Sequence, residues 1–234
     1  MKRLGGNHPD KGLLWLPLSS IAVLTILSLI VFLLTNHYWM KDFFERVENQ
    51  HRQSLIQIVS IARNAIEPVM ADVRAGQISR EEAVNQIRAR VRAMTYLDPY
   101  GNNYIFMSAY DGTMLVQPFE PKMELTDQWN LQDAHGLYII RELVQAAKTH
   151  PEGSFVRYHY HLPGVHSVQE KMAYVVGLPE LECYSGSGMY MQHAMQEQKD
   201  ILQKIKNGSI WLLLAVLLPI CVSIAFILSR NRRL

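Results

Sequence analysis

Cysteine is nearly absent from this 234-residue chain, which has only Cys183 and Cys221. Cys221 falls inside an apolar run and Cys183 in a segment flanked by charge, so the two do not pair and no disulfide framework holds the fold. Cys183 reads as a small buried hydrophobe. An excess of one charge is missing too: 23 Lys and Arg against 21 Asp and Glu leave a net +2, too little to indicate nucleic acid as a partner. Signatures of catalysis are also lacking. There is no nucleophile with its base, no phosphate loop and no His-Glu-x-x-His. Gly186-Ser187-Gly188 lacks the extra residue on each side of Ser that a nucleophile elbow requires. The chain does not read as an enzyme, and it has no internal repeat or low-complexity tract.

Charge is missing altogether from Leu13 to Thr35 and from Ile210 to Ser229. Either run can cross a hydrocarbon core about 30 Å thick at about 1.5 Å per residue. The first exceeds a signal-peptide core of roughly 7–15 residues and has no small-x-small cleavage site, so it is read as an uncleaved span. Tyr38 and Trp39 then serve as an interfacial anchor. Lys2, Arg3 and Lys11 precede the first span, and Arg230, Arg232 and Arg233 follow the second. Both clusters belong in the cytoplasm. The expected organisation is a cytoplasmic N-terminus at 1–12, a span at 13–35, an extracytoplasmic domain at 36–209, a span at 210–229 and a cytoplasmic tail at 230–234.

Within the middle region, Phe43, Phe44, Val47, His51, Leu55, Ile58, Ala62, Ala65 and Val69 recur at spacings of mostly three and four, predicting a helix over ~37–72. Pro68 is expected to kink or end it near Met70. Ser79-Arg80-Glu81-Glu82 is a capping box opening a second helix with Ala83, Ile87, Val91 and Met94 on its apolar side. Asp98-Pro99-Tyr100-Gly101 is turn chemistry. Strands are expected at 103–108 and 113–117 around a tight Asp111-Gly112 turn. A helix over ~137–149 and strands at 154–161, 169–176 and 182–190 follow. After Met191 a polar amphipathic helix leads to the second span. Consecutive strands at both ends favour an antiparallel sheet in an α+β fold.

The order of these pieces resembles a single Cache domain. Tyr104-Ile105-Phe106, Asp111-Gly112-Thr113 and Gln117-Pro118 are similar to its first half. Asp133-x-His135-Gly136 with Glu142 to Lys148 is similar to its central helix. Ser154 to Tyr158, Lys171-x-x-Tyr174 and Gly186 to Tyr190 are similar to its last three strands. The resemblance covers ~95–192 and implies a PAS-like antiparallel sheet with a long N-terminal helix. It further implies a bacterial inner-membrane sensor of the chemoreceptor or sensor-kinase kind, often a homodimer, binding a small organic ligand with short carboxylates favoured. Gln117 stands where the family often has His, and Leu181-Glu182-Cys183 where it usually has aromatic-Gly-aromatic. Such receptors continue into a cytoplasmic signalling region, whereas only Arg230 to Leu234 follow the second span. Either a separate partner carries the cytoplasmic domain, or the chain is part of a longer receptor.

A carboxylate ligand needs a cation or several donors in a partly dry pocket. Lys171 is the leading candidate, since it sits at the start of a strand within a segment that otherwise reads as buried, and the family often has lysine there. Tyr104, Phe106, Gln117, Trp129, Tyr158, Tyr160, Tyr174 and Ser187 complete the candidate ligand-binding set. Of Tyr104, Tyr158, Tyr160, Tyr174 and Tyr190, two or three are expected at the ligand and the others in the core. Trp129 either lids the pocket or anchors its loop. Tyr158 and Tyr160 share the inward face of their strand with Val156 and Leu162. Lys171 and Tyr174 have opposite parity, so both reach one pocket only with a bulge. His159, His161 and His166 have the spacing for a metal, but a solvated strand face accounts for them better and no metal is assigned. No cofactor is expected. The rival to a sensor is a structural or assembly subunit whose domain serves only for docking.

Overall fold

The computed structural model describes residues 12–98, 101–162 and 167–231. Helix α1 spans Gly12–Arg74 without a break, so Pro68 neither ends it nor stops it at Met70. What ends it is Gly76. With φ at +69, Gly76 turns the chain so that its N–H reaches the Val73 carbonyl and the Gln77 N–H reaches Asp72. That is the paired bonding of a Schellman cap, which an L-residue with a side chain enters only under strain. Helix α2, Arg80–Arg92, starts where the capping box placed it: the Ser79 hydroxyl accepts from the Glu82 N–H.

Six strands follow, interrupted by one helix. They are β1 Thr95–Asp98, β2 Gly101–Ala109, β3 Met114–Val116, β4 Ser154–His161, β5 Val168–Leu178 and β6 Cys183–Tyr190. Helix α3, Ile139–Thr149, lies between β3 and β4, and α4 runs Met191–Asn231. Strand β1 was not expected from the sequence. It pairs with β2 in register Thr95 to Tyr104 and forms the sheet edge. The sheet order is β1-β2-β6-β5-β4 with β3 added to β2, and every pairing is antiparallel. At Gly112 the β2–β3 turn has φ +97 with the Trp129 side chain 3.0 Å from where a Cβ would lie, so both conformation and space demand glycine.

Alternation divides the strands between two apolar layers. Ile105, Met107 and Cys183 point to one side and pack with Ala62, Ile66 and Val69 of α1 and Ala83, Ile87 and Val91 of α2. Burial in that layer pushes the Cys183 thiol up to about 12, so it stays an uncharged packing group. Tyr104, Phe106, Ala173, Val175, Tyr184 and Tyr190 point to the other side, beneath Ile139, Ile140, Leu143 and Val144 of α3. Leu55 of α1, fully buried, packs with Met172 and Met189.

Residues Val47–Gln198 form one compact unit, and a second unit comprises the segments before and after it. The structure has two helices long and apolar enough to cross a membrane, within α1 and α4.

Candidate functional site

Lys171 lies near the start of β5, cross-strand from Tyr158 on β4 and Tyr190 on β6. Parity turns it toward the α3 layer with Ala173 and Val175. Gly188, across from Ala173, makes the room: a Cβ there would come within 2.5 Å of the Lys171 Cε. Gly186, two residues earlier, does the same for Phe106, whose ring would lie 3.1 Å from its Cβ. The two glycines of Gly186-Ser187-Gly188 thus clear space under the site.

The result is a lysine only 1% exposed. Its Nζ stands 4.6 Å from the centre of the Tyr104 ring, 5.1 Å from Tyr190, 5.6 Å from Tyr160 and 5.8 Å from Phe106. These rings supply cation–π attraction, which strengthens when water is excluded. One N–H donates to Tyr104 Oη at 3.2 Å. An ammonium has three donors. Among the described residues Lys171 has no other hydrogen bond and no carboxylate within ion-pair distance. Because Tyr104 Oη accepts from Lys171, its own proton is left to point elsewhere.

A cavity of about 20 Å³ opens in front of these rings, lined by Tyr104, Phe106, Tyr158, Tyr160, Gln117, Met114, Leu131 and the Ile139, Ile140 and Leu143 face of α3. That is room for about one water. Lys171 does not line the cavity. It stands behind the rings and is joined to the cavity wall through the Tyr104 hydroxyl. Burial raises Tyr158, Tyr160 and Tyr190 above the ordinary phenol value, so all three remain protonated donors. The Tyr160 proton goes to Glu120 Oε2 at 3.0 Å. The Gln117 side-chain carbonyl is buried and has no hydrogen-bond partner among the described residues.

The segment from Gln117 to Leu131 covers the cavity. Phe119 packs edge-on against Tyr104 at 5.2 Å. Glu124, with its side chain 5% exposed, accepts from the Gln117 N–H at 3.0 Å and pairs with Arg92 and, at 3.7 Å, Arg88 of α2. Asp133 fastens the far end of the cover. Burial would raise its carboxyl, but the backbone N–H groups of His159, Leu137 and His135 outweigh that and hold it below the ordinary aspartate value.

Five of the nine candidate residues, Tyr104, Phe106, Gln117, Tyr158 and Tyr160, meet at the cavity, with Lys171 directly behind. Three do not. Tyr174 faces away from the cavity, against Phe155 at 4.7 Å, because its parity is opposite to that of Lys171 and β5 has no bulge. Ser187 also faces away: its hydroxyl donates to the Tyr104 carbonyl and lies 2.7 Å from the Tyr96 hydroxyl. Trp129 packs beside Gly112, and its carbonyl accepts from Arg141, so it anchors the loop rather than lidding the pocket. Tyr190, which faces the lysine, and the α3 isoleucines on the cavity wall were not in the candidate set, nor was Glu120, which lies outside the cavity lining and reaches it only through the Tyr160 hydroxyl. Parity with Gly186 and Gly188 could have indicated Tyr190. Of the three histidines, His159 pairs with Asp133 at 3.5 Å and His161 lends its carbonyl to Tyr190. His166 lies outside the described residues. Among the described residues no cluster of metal-ligating side chains occurs.

Residues 47–204 match the family described as single Cache domain 2. The chain belongs to that family. Its Cache domain is of the kind found in bacterial chemoreceptors and sensor kinases. The chain is 27% identical over 151 residues to the sensor histidine kinase MctS of Rhizobium johnstonii, covering 64% of this chain and 31% of the kinase. It is 24% identical over 198 residues to the methyl-accepting chemotaxis protein McpP of Pseudomonas putida, covering 84% of this chain and 34% of McpP. The chain therefore spans about a third of the length of these relatives. Among solved structures, a Cache chemosensory domain described for carboxylic acid recognition superposes with TM-score 0.57 at 23% identity, over 62% of this chain and 97% of that one. A methyl-accepting chemotaxis protein of Vibrio parahaemolyticus gives 0.56 at 17%, over 64% and 95%. These structures share the Cache fold, an antiparallel sheet with a long N-terminal helix.

Proposed function

We propose that this Cache domain senses a short organic carboxylate in the cavity beneath α3, and that occupancy is passed along α1 and α4 across the membrane. The observation that carries this reading is Lys171. A buried ammonium with two unfilled donors and no counter-ion among the described residues costs several kcal/mol of desolvation, roughly, unless an anion joins it. A carboxylate would accept from Lys171 and from the free Tyr104 proton. Its carbon chain would lie on Ile139, Ile140 and Leu143. The structural relative described for carboxylic acid recognition supports the same ligand class. Since the cavity holds about one water, entry requires the Gln117–Leu131 cover to yield. Both basic ends are assigned to the cytoplasm and the Cache domain to the opposite side.

The test is thermal unfolding of the full chain in detergent with acetate, propionate or pyruvate, and with acetamide as the uncharged control. Carboxylate-dependent stabilisation with no response to acetamide is expected. No response to any C2–C4 carboxylate would count against the reading. Reporter fusions at residue 100 test the topology, and a cytoplasmic signal there would overturn it.

A further inference from the structure

We propose that Glu120 restricts this site to monocarboxylates by placing a negative charge where the second carboxylate of a dicarboxylate would have to lie. The inference rests on the carboxylate reading of the cavity and adds its selectivity. Lys171 and Tyr104 occupy one end, and the α3 wall of Ile139, Ile140 and Leu143 offers no polar partner. Apart from Tyr158, which lies cross-strand from Lys171, the remaining polar lining is Gln117 and Tyr160. Tyr160 reaches from the lysine cage, with its ring 5.6 Å from Nζ, to the Glu120 carboxylate, 3.0 Å from its hydroxyl. A second carboxylate seeking donors is thus led to the side chains that already serve Glu120. It would find the Tyr160 proton taken and a like charge beside it. In a site of low effective dielectric, that repulsion is worth roughly tenfold to a hundredfold in affinity.

Propionate and succinate form a matched pair, differing by one terminal carboxylate. Calorimetric titration of the full chain in nanodiscs should show propionate binding and succinate excluded. Glu120→Gln keeps an acceptor for Tyr160 and removes only the charge. It should hold propionate affinity within about threefold and raise succinate affinity by roughly tenfold or more. Tyr160→Phe removes the hydrogen bond and leaves the charge, so it should gain no succinate binding. An unchanged succinate-to-propionate ratio in Glu120→Gln, or the same gain in Tyr160→Phe, would overturn the assignment. A wild-type chain that binds succinate as well as propionate would overturn it too. If the wild-type chain binds neither acid, the carboxylate reading itself fails and the selectivity inference goes with it.

Discussion

Replacing Lys171 with Met removes the charge and keeps most of the volume, and it separates the two roles a buried lysine can have. In the ligand-free protein the ammonium gains one charged hydrogen bond, worth about 1.5–3 kcal/mol. It also gains cation–π attraction from rings 4.6–5.8 Å away, of the order of 1–2 kcal/mol. Against these stands a desolvation cost of several kcal/mol, roughly, with no counter-ion among the described residues to offset it. The terms nearly cancel, so Lys171→Met should leave ligand-free stability unchanged or raise it by up to about 2 kcal/mol. The ligand response should behave differently. At a concentration 100 times Kd, a ligand stabilises its native protein by about 2.7 kcal/mol. At ~2–4 °C per kcal/mol for a domain of this size, that is a shift of about 5–11 °C. Thermal unfolding of both proteins with increasing propionate is the assay. Wild type should shift and Lys171→Met should not. A variant that shifts like wild type would refute the role given to Lys171. So would a ligand-free loss above ~3 kcal/mol, which is the mark of a lysine already paired inside the protein.

Other expectations follow from the same packing. Gly188→Ala would drive a Cβ into the Lys171 stem, costing about 1–3 kcal/mol and abolishing the carboxylate response, as calorimetry would show. Leu55→Ala should cost about 2–5 kcal/mol in thermal or denaturant unfolding, because Leu55 is fully buried with Met172 and Met189. Asp133 has a folded-state carboxyl below its ordinary 3.8, so the stability it contributes is whole above that pH and is lost as pH falls through the folded value. Asp133→Asn should therefore cost about 1–2 kcal/mol at neutral pH, and its deficit against wild type should close below about pH 3.8 in an acid titration of stability.

Much of the fold was legible because its signals are local and periodic. The Ser79 capping box, the Asp111-Gly112 turn and the face shared by Tyr158 and Tyr160 each follow from a few neighbouring residues. Strand β1 was hidden for a physical reason: Thr95-Tyr96-Leu97-Asp98 is a four-residue edge strand whose Leu97 is exposed, so it shows no buried alternation. Pro68 does not end α1 because a helix with tertiary support on Ile66, Val69 and Met70 absorbs one lost hydrogen bond. In the site, Lys171 stood out as a cation at the start of a strand whose segment otherwise read as buried. Tyr174 and Ser187 were drawn in by the motifs around them, although parity sets both on the opposite layer. Glu120 could not be read at all, since only the folded cover brings it to Tyr160, forty positions along the chain.

The most direct test of the account is a crystal structure of the full chain grown with saturating propionate. The carboxylate should lie within about 2.7–3.2 Å of Lys171 Nζ or Tyr104 Oη, with its carbon chain against Ile139, Ile140 and Leu143 of α3. Propionate bound elsewhere, or an unoccupied cavity at saturation, would contradict it.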